Sequence, residues 1–250
     1  TWNMAEAYGL NYAELKNTAG LMGDDATNLA FKAGEIKGGK SQVAYIFDNK
    51  ELYFDQSGVL SIINVTKPVV EDALTKALDA FKKAAELDAG QKIKDIPAGI
   101  KSVADKFTEE AYNAYSFGNF SEASKCFENA FLASGTAPYS VLDTNAVYNA
   151  GLTAWMGQDA ERAKTFFKKS IDCGYAGEGG EAYAKLSDIS DKTGDKDAAK
   201  SYLEEGFAKY PQSQSILVGL INYYVSTGED TNRLFELLDN AKKNEPGNAS

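Results

Sequence analysis

One spacing constrains this fold more than any other feature. In four stretches a small residue is followed four positions later by Phe or Leu and preceded five positions earlier by a turn residue. The small-residue anchors are Ala123, Ala163 and Ala199, with Arg233 in that place in the last stretch, and successive anchors stand 40, 36 and 34 residues apart. Behind them come Phe127, Phe167, Leu203 and Leu237; ahead of them come Gly118, Gln158, Gly194 and Gly228, with Gly157 one place early in the second stretch. Each position has a physical task. Glycine beside a helix end accepts the left-handed backbone that reverses the chain. Alanine lets two helices approach closely, and the Phe or Leu one turn later fills the space between them. A stretch such as EAYAKLSDISDKTGDKDAAKSYLEEGFAKYP, Glu181 to Pro211, therefore reads as two amphipathic helices joined by a tight turn.

These residues resemble the tetratricopeptide repeat, which carries a Gly, then an Ala and a Phe four residues apart, then a closing Pro. In the third copy Ala182, Tyr183, Leu186, Gly194, Ala199 and Pro211 follow that pattern. In the second, Ala146, Gly151 and Trp155 fall on the first helix, with Gly151 at the small position facing the partner helix. The copies run over about 104–137, 144–177, 180–213 and 214–247. The resemblance implies an all-α fold of tandem helix-turn-helix repeats, an α-solenoid wound as a right-handed superhelix. An irregular bundle would share the 3.6-residue periodicity but not the fixed spacing of Gly, Ala and Phe.

Upstream, Val70 to Asp88 reads as a further amphipathic helix entered near Pro68, and its Ala77, Phe81 and Ala84 repeat the second-helix spacing. A long helix is expected from near Pro97 into the first copy, so residues 66–250 read as one continuous array. Residues 1–65 form a separate N-terminal segment, expected to be mostly helical: TWNMAEAYGLNYAELKN and GDDATNLAFKAGEI read as helices. QVAYIF and ELYF, on either side of DNK, read either as a hairpin or as parts of helices.

Several function classes lose their basis. The chain has no histidine, which removes the commonest general base and the commonest metal ligand. Its net charge of -10 opposes a nucleic-acid partner. Cys126 and Cys173 lack zinc or redox spacing and read as packing residues first and a single bridge second. No run reaches the roughly 20 apolar residues of a membrane span. GEIKGGKS, Gly34 to Ser41, matches the GxxxxGK[ST] phosphate loop, but such a loop must follow a buried strand and open a helix at its Lys and Ser. Here QVAYIFD follows, β-branched and aromatic where a helix should start, so a nucleotide-binding enzyme is only a remote alternative and a glycine-rich turn is expected. Adjacent carboxylates such as Glu109 and Glu110 point about 100° apart on a helix and read as solvated charge. GYAGEGG, Gly174 to Gly180, reads as a flexible connection between copies. No catalytic residue, metal site or cofactor is expected.

What remains is a surface for a protein or peptide partner. In the family, first helices line a concave groove that takes extended peptides or helices. The resemblance carries that role to Thr108, Tyr112 and Tyr115 in the first copy and to Asn145, Tyr148, Leu152 and Trp155 in the second. It also carries it to Asp188 and Asp191 in the third copy and to Val218 and Asn222 in the fourth. Tyr and Trp anchor interfaces well, although Tyr115 and Trp155 serve equally well as packing between helices. Family members that clamp a partner's terminal carboxylate use Lys and Asn at recurring groove positions. Here Thr108, Tyr148, Ala184 and Val218 hold one position and Tyr112, Leu152, Asp188 and Asn222 the other, so such a clamp is not expected. Aromatic beside acidic residues favours an apolar or basic partner. The expected function is a non-enzymatic protein-interaction scaffold, with a solute- or glycan-binding protein of the cell envelope as the alternative. The Tyr- and Asn-rich, histidine-free composition, with only Arg162 and Arg233 beside many lysines, resembles exported, periplasmic bacterial tetratricopeptide proteins. The chain begins at Thr1 with no initiator Met and ends in NEPGNAS without a polar capping helix, so processing before Thr1 and further repeats after Ser250 are expected.

Overall fold

A computed structural model describes residues 10–11, 14, 30–36, 40–46, 50–55, 57–68, 70–88, 93–230, 232–233, 235–237 and 239. The chain divides into two compact units, one of residues 1–126 with 136–139 and one of residues 127–135 with 140–250.

The first unit opens with a sheet. Strands β1 (Ala30–Ile36), β2 (Lys40–Ile46), β3 (Lys50–Phe54) and β4 (Leu60–Val65) pair in chain order as an antiparallel meander. AFKAGEI, expected within a helix, is strand β1 instead, and of the two readings left open for QVAYIF and ELYF the structure has the hairpin. The helix expected over residues 1–17 lies almost wholly outside the described residues. AFKAGEI has a helix-like composition, yet tertiary pairing overrides that preference: Ala30 stands opposite Ile46 and Ile36 opposite Lys40. β-branched and aromatic residues in β2, β3 and β4 suit the pleated surface, and Leu52, Phe54, Leu60, Ile62 and Ile63 are all buried. The β3–β4 turn is set by Asp55, whose Oδ1 accepts from the backbone of Ser57 at 2.8 Å and Val59 at 3.1 Å, with Gly58 left-handed at φ 75°. Beyond β4, Asn11 bridges Val59 and Leu10 O accepts from Leu60 N at 2.8 Å.

The sheet also decides the phosphate-loop question. Gly34, Glu35 and Ile36 lie in β1 while Lys40 and Ser41 open β2, so a strand begins where a phosphate loop requires the N-terminus of a helix. The motif is two arms of a hairpin, with residues 37–39 outside the described set.

Helices α1 (Ala73–Leu87) and α2 (Asp95–Ser116) follow and pack together. Pro97 sits in the first turn of α2, where its missing N–H costs nothing. Gly99 of α2 lies flat against Phe81 of α1: a Cβ added there would come within 2.1 Å of the ring. The sheet meets α2 near its other end. Asn113 Nδ2 donates to Ile63 O at 3.2 Å, and Tyr53 stands edge-on to Phe117 with ring centroids 5.0 Å apart.

Helix α3 (Phe120–Ser134) crosses the boundary between the units. The second unit then stacks α4 (Thr144–Met156), α5 (Ala160–Asp172), α6 (Glu181–Lys192), α7 (Lys196–Lys209) and α8 (Gln214–Thr227) in sequence, α8 touching both α7 and α6. This is a helical repeat fold. Anchors Ala123, Ala163 and Ala199 are buried to within 1% of full enclosure, and Phe127, Phe167, Leu203 and Leu237 are buried beside them. A Cβ on Gly151 would lie 3.1 Å from the backbone nitrogen of Phe167, so the small position of the second copy does face the partner helix. Aspartate caps recur at the second helices. Asp159, Asp195 and Asp230 each accept from the backbone N–H three residues on, at 3.0 Å.

The turns differ in one respect from expectation. Gly118, Gly194 and Gly228 are left-handed, but in the second copy Gly157 has φ -78° and Gln158 itself takes the left-handed conformation at φ 63°. Gln158→Gly should therefore stabilise the fold by about 0.5 kcal/mol, since steric relief of about 1–2 kcal/mol is offset by about 0.5–1 kcal/mol of extra chain entropy. Chemical denaturation of the two proteins measures this, and a lower midpoint for Gln158→Gly would contradict it. Gly99→Ala should destabilise by about 1–3 kcal/mol because Phe81 blocks the added methyl, and Phe81→Leu in the same chain should recover part of the loss.

Candidate partner-binding surface

The expected groove positions recur at intervals of four and three residues, which places each set on one face of its helix. In the first unit, α2 carries Thr108, Tyr112 and Tyr115. Thr108 is half-buried and its hydroxyl donates to Ala104 O at 3.1 Å within the helix. Tyr112 is 53% and Tyr115 41% exposed, the latter edge-on to Phe120 at 5.7 Å.

In the second unit, Asn145 at the start of α4 and Asn222 on α8 are exposed, as is Val218. Tyr148, Leu152 and Trp155 are only half-open, because each packs on the core shared by α4 to α8. Tyr148 stands edge-on to Phe167 at 5.7 Å and to Tyr175 at 5.4 Å. Tyr175 comes from the connection after α5, where specific backbone angles and hydrogen bonds are formed. Gly174, Gly177 and Gly180 are all left-handed there, the Glu181 carboxylate accepts from Gly179 N at 3.1 Å, and Ser170 Oγ donates to Tyr175 O at 2.6 Å. Burial, then the Glu181 charge, then Tyr175 push the Tyr148 phenol from 10.0 up to about 12.

Trp155 and Asp188 are brought together. The indole Nε1 donates to Asp188 Oδ2 at 3.4 Å, across from α4 to α6. Lys185, one turn before Asp188, lays its ammonium over the indole at 3.5 Å from the ring centroid. Lys192, one turn after, pairs with Asp188 at 2.9 Å, and Asp191 pairs with Lys196. Burial lowers the Lys185 pKa. Two consequences follow. The covered face of Trp155 is closed to a stacking sugar. The aspartates that suggested an acidic groove are each neutralised by a lysine. Beside Trp155 a cleft of about 470 Å³ opens between the α4–α5 turn and the end of α6, walled by Trp155, Met156, Gln158, Asp188, Ile189 and Lys192. Of these, Trp155 and Asp188 were read from the sequence as groove residues and Gln158 as a turn residue; Met156, Ile189 and Lys192 were not singled out. The Lys185, Asp188 and Lys192 spacing was readable as one helix face, but the indole it meets comes from another repeat.

Residues 180–208, spanning α6 and most of α7, match the family described as tetratricopeptide repeat. The chain contains a tetratricopeptide repeat. No curated protein matches the sequence. Among solved structures, the chain is similar to the MamA protein at 16% identity, covering 71% of this chain and 92% of that one with a TM-score of 0.46. It is similar to BtubC (BKLC) from P. vanneervenii at 17% identity, covering 70% and 74% with a TM-score of 0.47. YrrB, a TPR protein with an unusual peptide-binding site, is similar at 18% identity, covering 72% and 95% with a TM-score of 0.40. Similarity of this degree carries no argument about function. Among the described residues no helix is long and apolar enough to cross a membrane.

Tyr148 generates a pH prediction. Its folded pKa lies above its unfolded value, so the stability it contributes is complete below about 10 and is lost as pH rises to about 12. Thermal midpoints measured between those values should fall less steeply in Tyr148→Phe than in the natural chain; parallel curves would contradict the burial of this phenol.

Proposed function

We propose that this tetratricopeptide chain is a non-enzymatic scaffold that holds a segment of a partner protein along the first helices of its repeats. The observation that carries this reading lies in the second unit. α4, α6 and α8 present the same helix positions in turn, as Tyr148, Leu152 and Trp155, then Ala184, Asp188 and Asp191, then Val218, Asn222 and Val225. All of them keep some surface open. Asn145, Asp191, Val218 and Asn222 are the contact residues we assign there, because their exposure leaves them available. Tyr148 and Leu152 support them from below. Thr108, Tyr112 and Tyr115 offer a comparable row on α2 of the first unit. Paired charges at Asp188 and Asp191 favour apolar contact with the partner over general attraction of basic peptides. A sugar-binding alternative loses support from the Lys185 cover on Trp155.

We place the protein among exported bacterial proteins on its composition alone; recovery from the cytoplasmic fraction of its native cells would contradict that placement. The scaffold reading is tested by Val218→Arg with Asn222→Arg. Both residues are exposed, so the thermal midpoint should hold while capture of the native partner falls at least about tenfold, or about 1.4 kcal/mol. Undiminished capture by the double variant would sink the assignment to the first helices.

A further inference from the structure

Glu181 opens α6 three residues before Ala184, the place that Asn145 holds before Tyr148 on α4 and Ser215 before Val218 on α8. It therefore belongs to the same row of first-helix positions. Unlike Asp188 and Asp191 it is not neutralised: among the described residues no Lys or Arg comes within 4.0 Å of it, and it keeps part of its surface open. The connection after α5 brings an aromatic pair to this carboxylate. A Cβ on left-handed Gly177 would come within 2.1 Å of Glu181 Oε2 and 3.2 Å of the Tyr148 hydroxyl, so carboxylate and phenol flank the same glycine. Tyr175 stands edge-on to Tyr148 there, with ring centroids 5.4 Å apart, and all three side chains are half-open. Burial and then Glu181 raise the Tyr148 phenol; burial, then Glu178 and Glu181, raise that of Tyr175. Both rings thus sit in the field of carboxylates. Where α4 carries Tyr148 and α8 carries Val218, α6 has only Ala184, so the row is one large side chain short beside Glu181. A half-buried carboxylate without a counter-charge gains from an ammonium that shares its site, and tyrosine faces add to that attraction.

We propose that Glu181, Tyr148 and Tyr175 form a seat for one lysine side chain of the partner segment, its ammonium paired with Glu181 and its stem against the two rings. Lysine suits the site better than arginine. Gly179 N already lies 3.2 and 3.1 Å from the two Glu181 oxygens, so the carboxylate does not offer a free fork to the paired donors of a guanidinium. This rests on the scaffold reading and deepens it: an otherwise apolar segment carries one basic residue, placed at the start of α6.

The probes are terminally blocked peptides with a central Leu-Lys-Leu or Leu-norleucine-Leu, which share a side-chain stem and differ in the ammonium, titrated against the full chain by calorimetry. The Lys peptide should bind at least about tenfold tighter. Glu181→Gln keeps an oxygen for Gly179 N and should bring the Lys peptide to the norleucine level, with the thermal midpoint falling by no more than about 4 °C. Tyr175→Leu should weaken the Lys peptide about threefold and leave the norleucine peptide unchanged. Glu161→Gln removes an exposed charge from α5 and should leave the Lys preference whole. Equal affinity for the two peptides, no binding of the Lys peptide at about 1 mM, or a Lys preference that survives Glu181→Gln would overturn the inference. So would a preference that Glu161→Gln reduces as much as Glu181→Gln does, since that is attraction to the net charge of -10 alone. Butylammonium binding as tightly as the Lys peptide would make this a site for a small free cation and overturn the peptide as its source. Full capture of the native partner by Glu181→Gln, beside loss of capture in Val218→Arg with Asn222→Arg, would remove the lysine seat and leave the scaffold reading standing.

Discussion

Everything in the second unit depends on paired helices coming closer than ordinary side chains allow. Gly151 meets the backbone of Phe167, Gly206 meets Tyr183, and Gly219 meets Leu203, each at a distance where an added Cβ would clash or force its neighbour aside. Ala154 and Ala163 stand in the same layer, both essentially sealed from solvent. Close approach lets large residues such as Phe167 and Leu203 be enclosed, and each such burial contributes about 2–3 kcal/mol. Polar contacts then fix one second helix against the next. Arg162 reaches back to Glu128 at 2.6 Å and Arg233 to Glu204 at 3.0 Å, the two glutamates both standing five residues after their anchors. Glu204 also accepts from the Tyr224 hydroxyl at 2.8 Å.

That packing decides what is left for function. First helices spend their larger apolar residues on the core, so Tyr148, Leu152 and Trp155 keep only part of their surface, and the freely exposed residues are smaller or polar. Trp155 is the compromise. Its ring belongs to the core cluster, its N–H is satisfied by Asp188, and its open wall faces the cleft. A residue placed this way is rigid before any partner arrives, which lowers the entropic cost of binding.

Local regularities made much of this visible in the sequence. Anchors and turn glycines act within one helix or one turn, so their spacing alone predicts them, and helices α4 to α8 follow. Relations between distant segments were not visible. Whether AFKAGEI is strand or helix depends on β2 lying opposite, which its own residues do not encode. Gln158 took the left-handed place expected of a neighbouring glycine because the closure of α4 onto α5 fixes which residue must turn. The pairing of Asp188 with Lys192 and of Asp191 with Lys196 across the α6–α7 turn was likewise not read from the sequence.

The first unit carries the same logic past the last recognisable repeat. Phe81 follows Ala77 by four residues and seats its ring on Gly99 of the next helix, as Leu203 follows Ala199 and seats on Gly219. Helix α1 therefore stands to α2 as α7 stands to α8, a second helix against the first helix of the following repeat. The first helix that should precede α1 is absent among the described residues, and the segment before it is the meander. β4 reaches α2 through Asn113 and Tyr53 through Phe117, so the sheet supplies contacts to α2 that a preceding first helix would otherwise make. A repeat array exposes an apolar helix face wherever it stops, and that face needs a cover. The sheet, buried at Leu52, Phe54 and Ile63, is joined to α2 by a hydrogen bond and a ring contact, so an element of another kind stands before α1 and α2 and the helical periodicity of the sequence fades before residue 65.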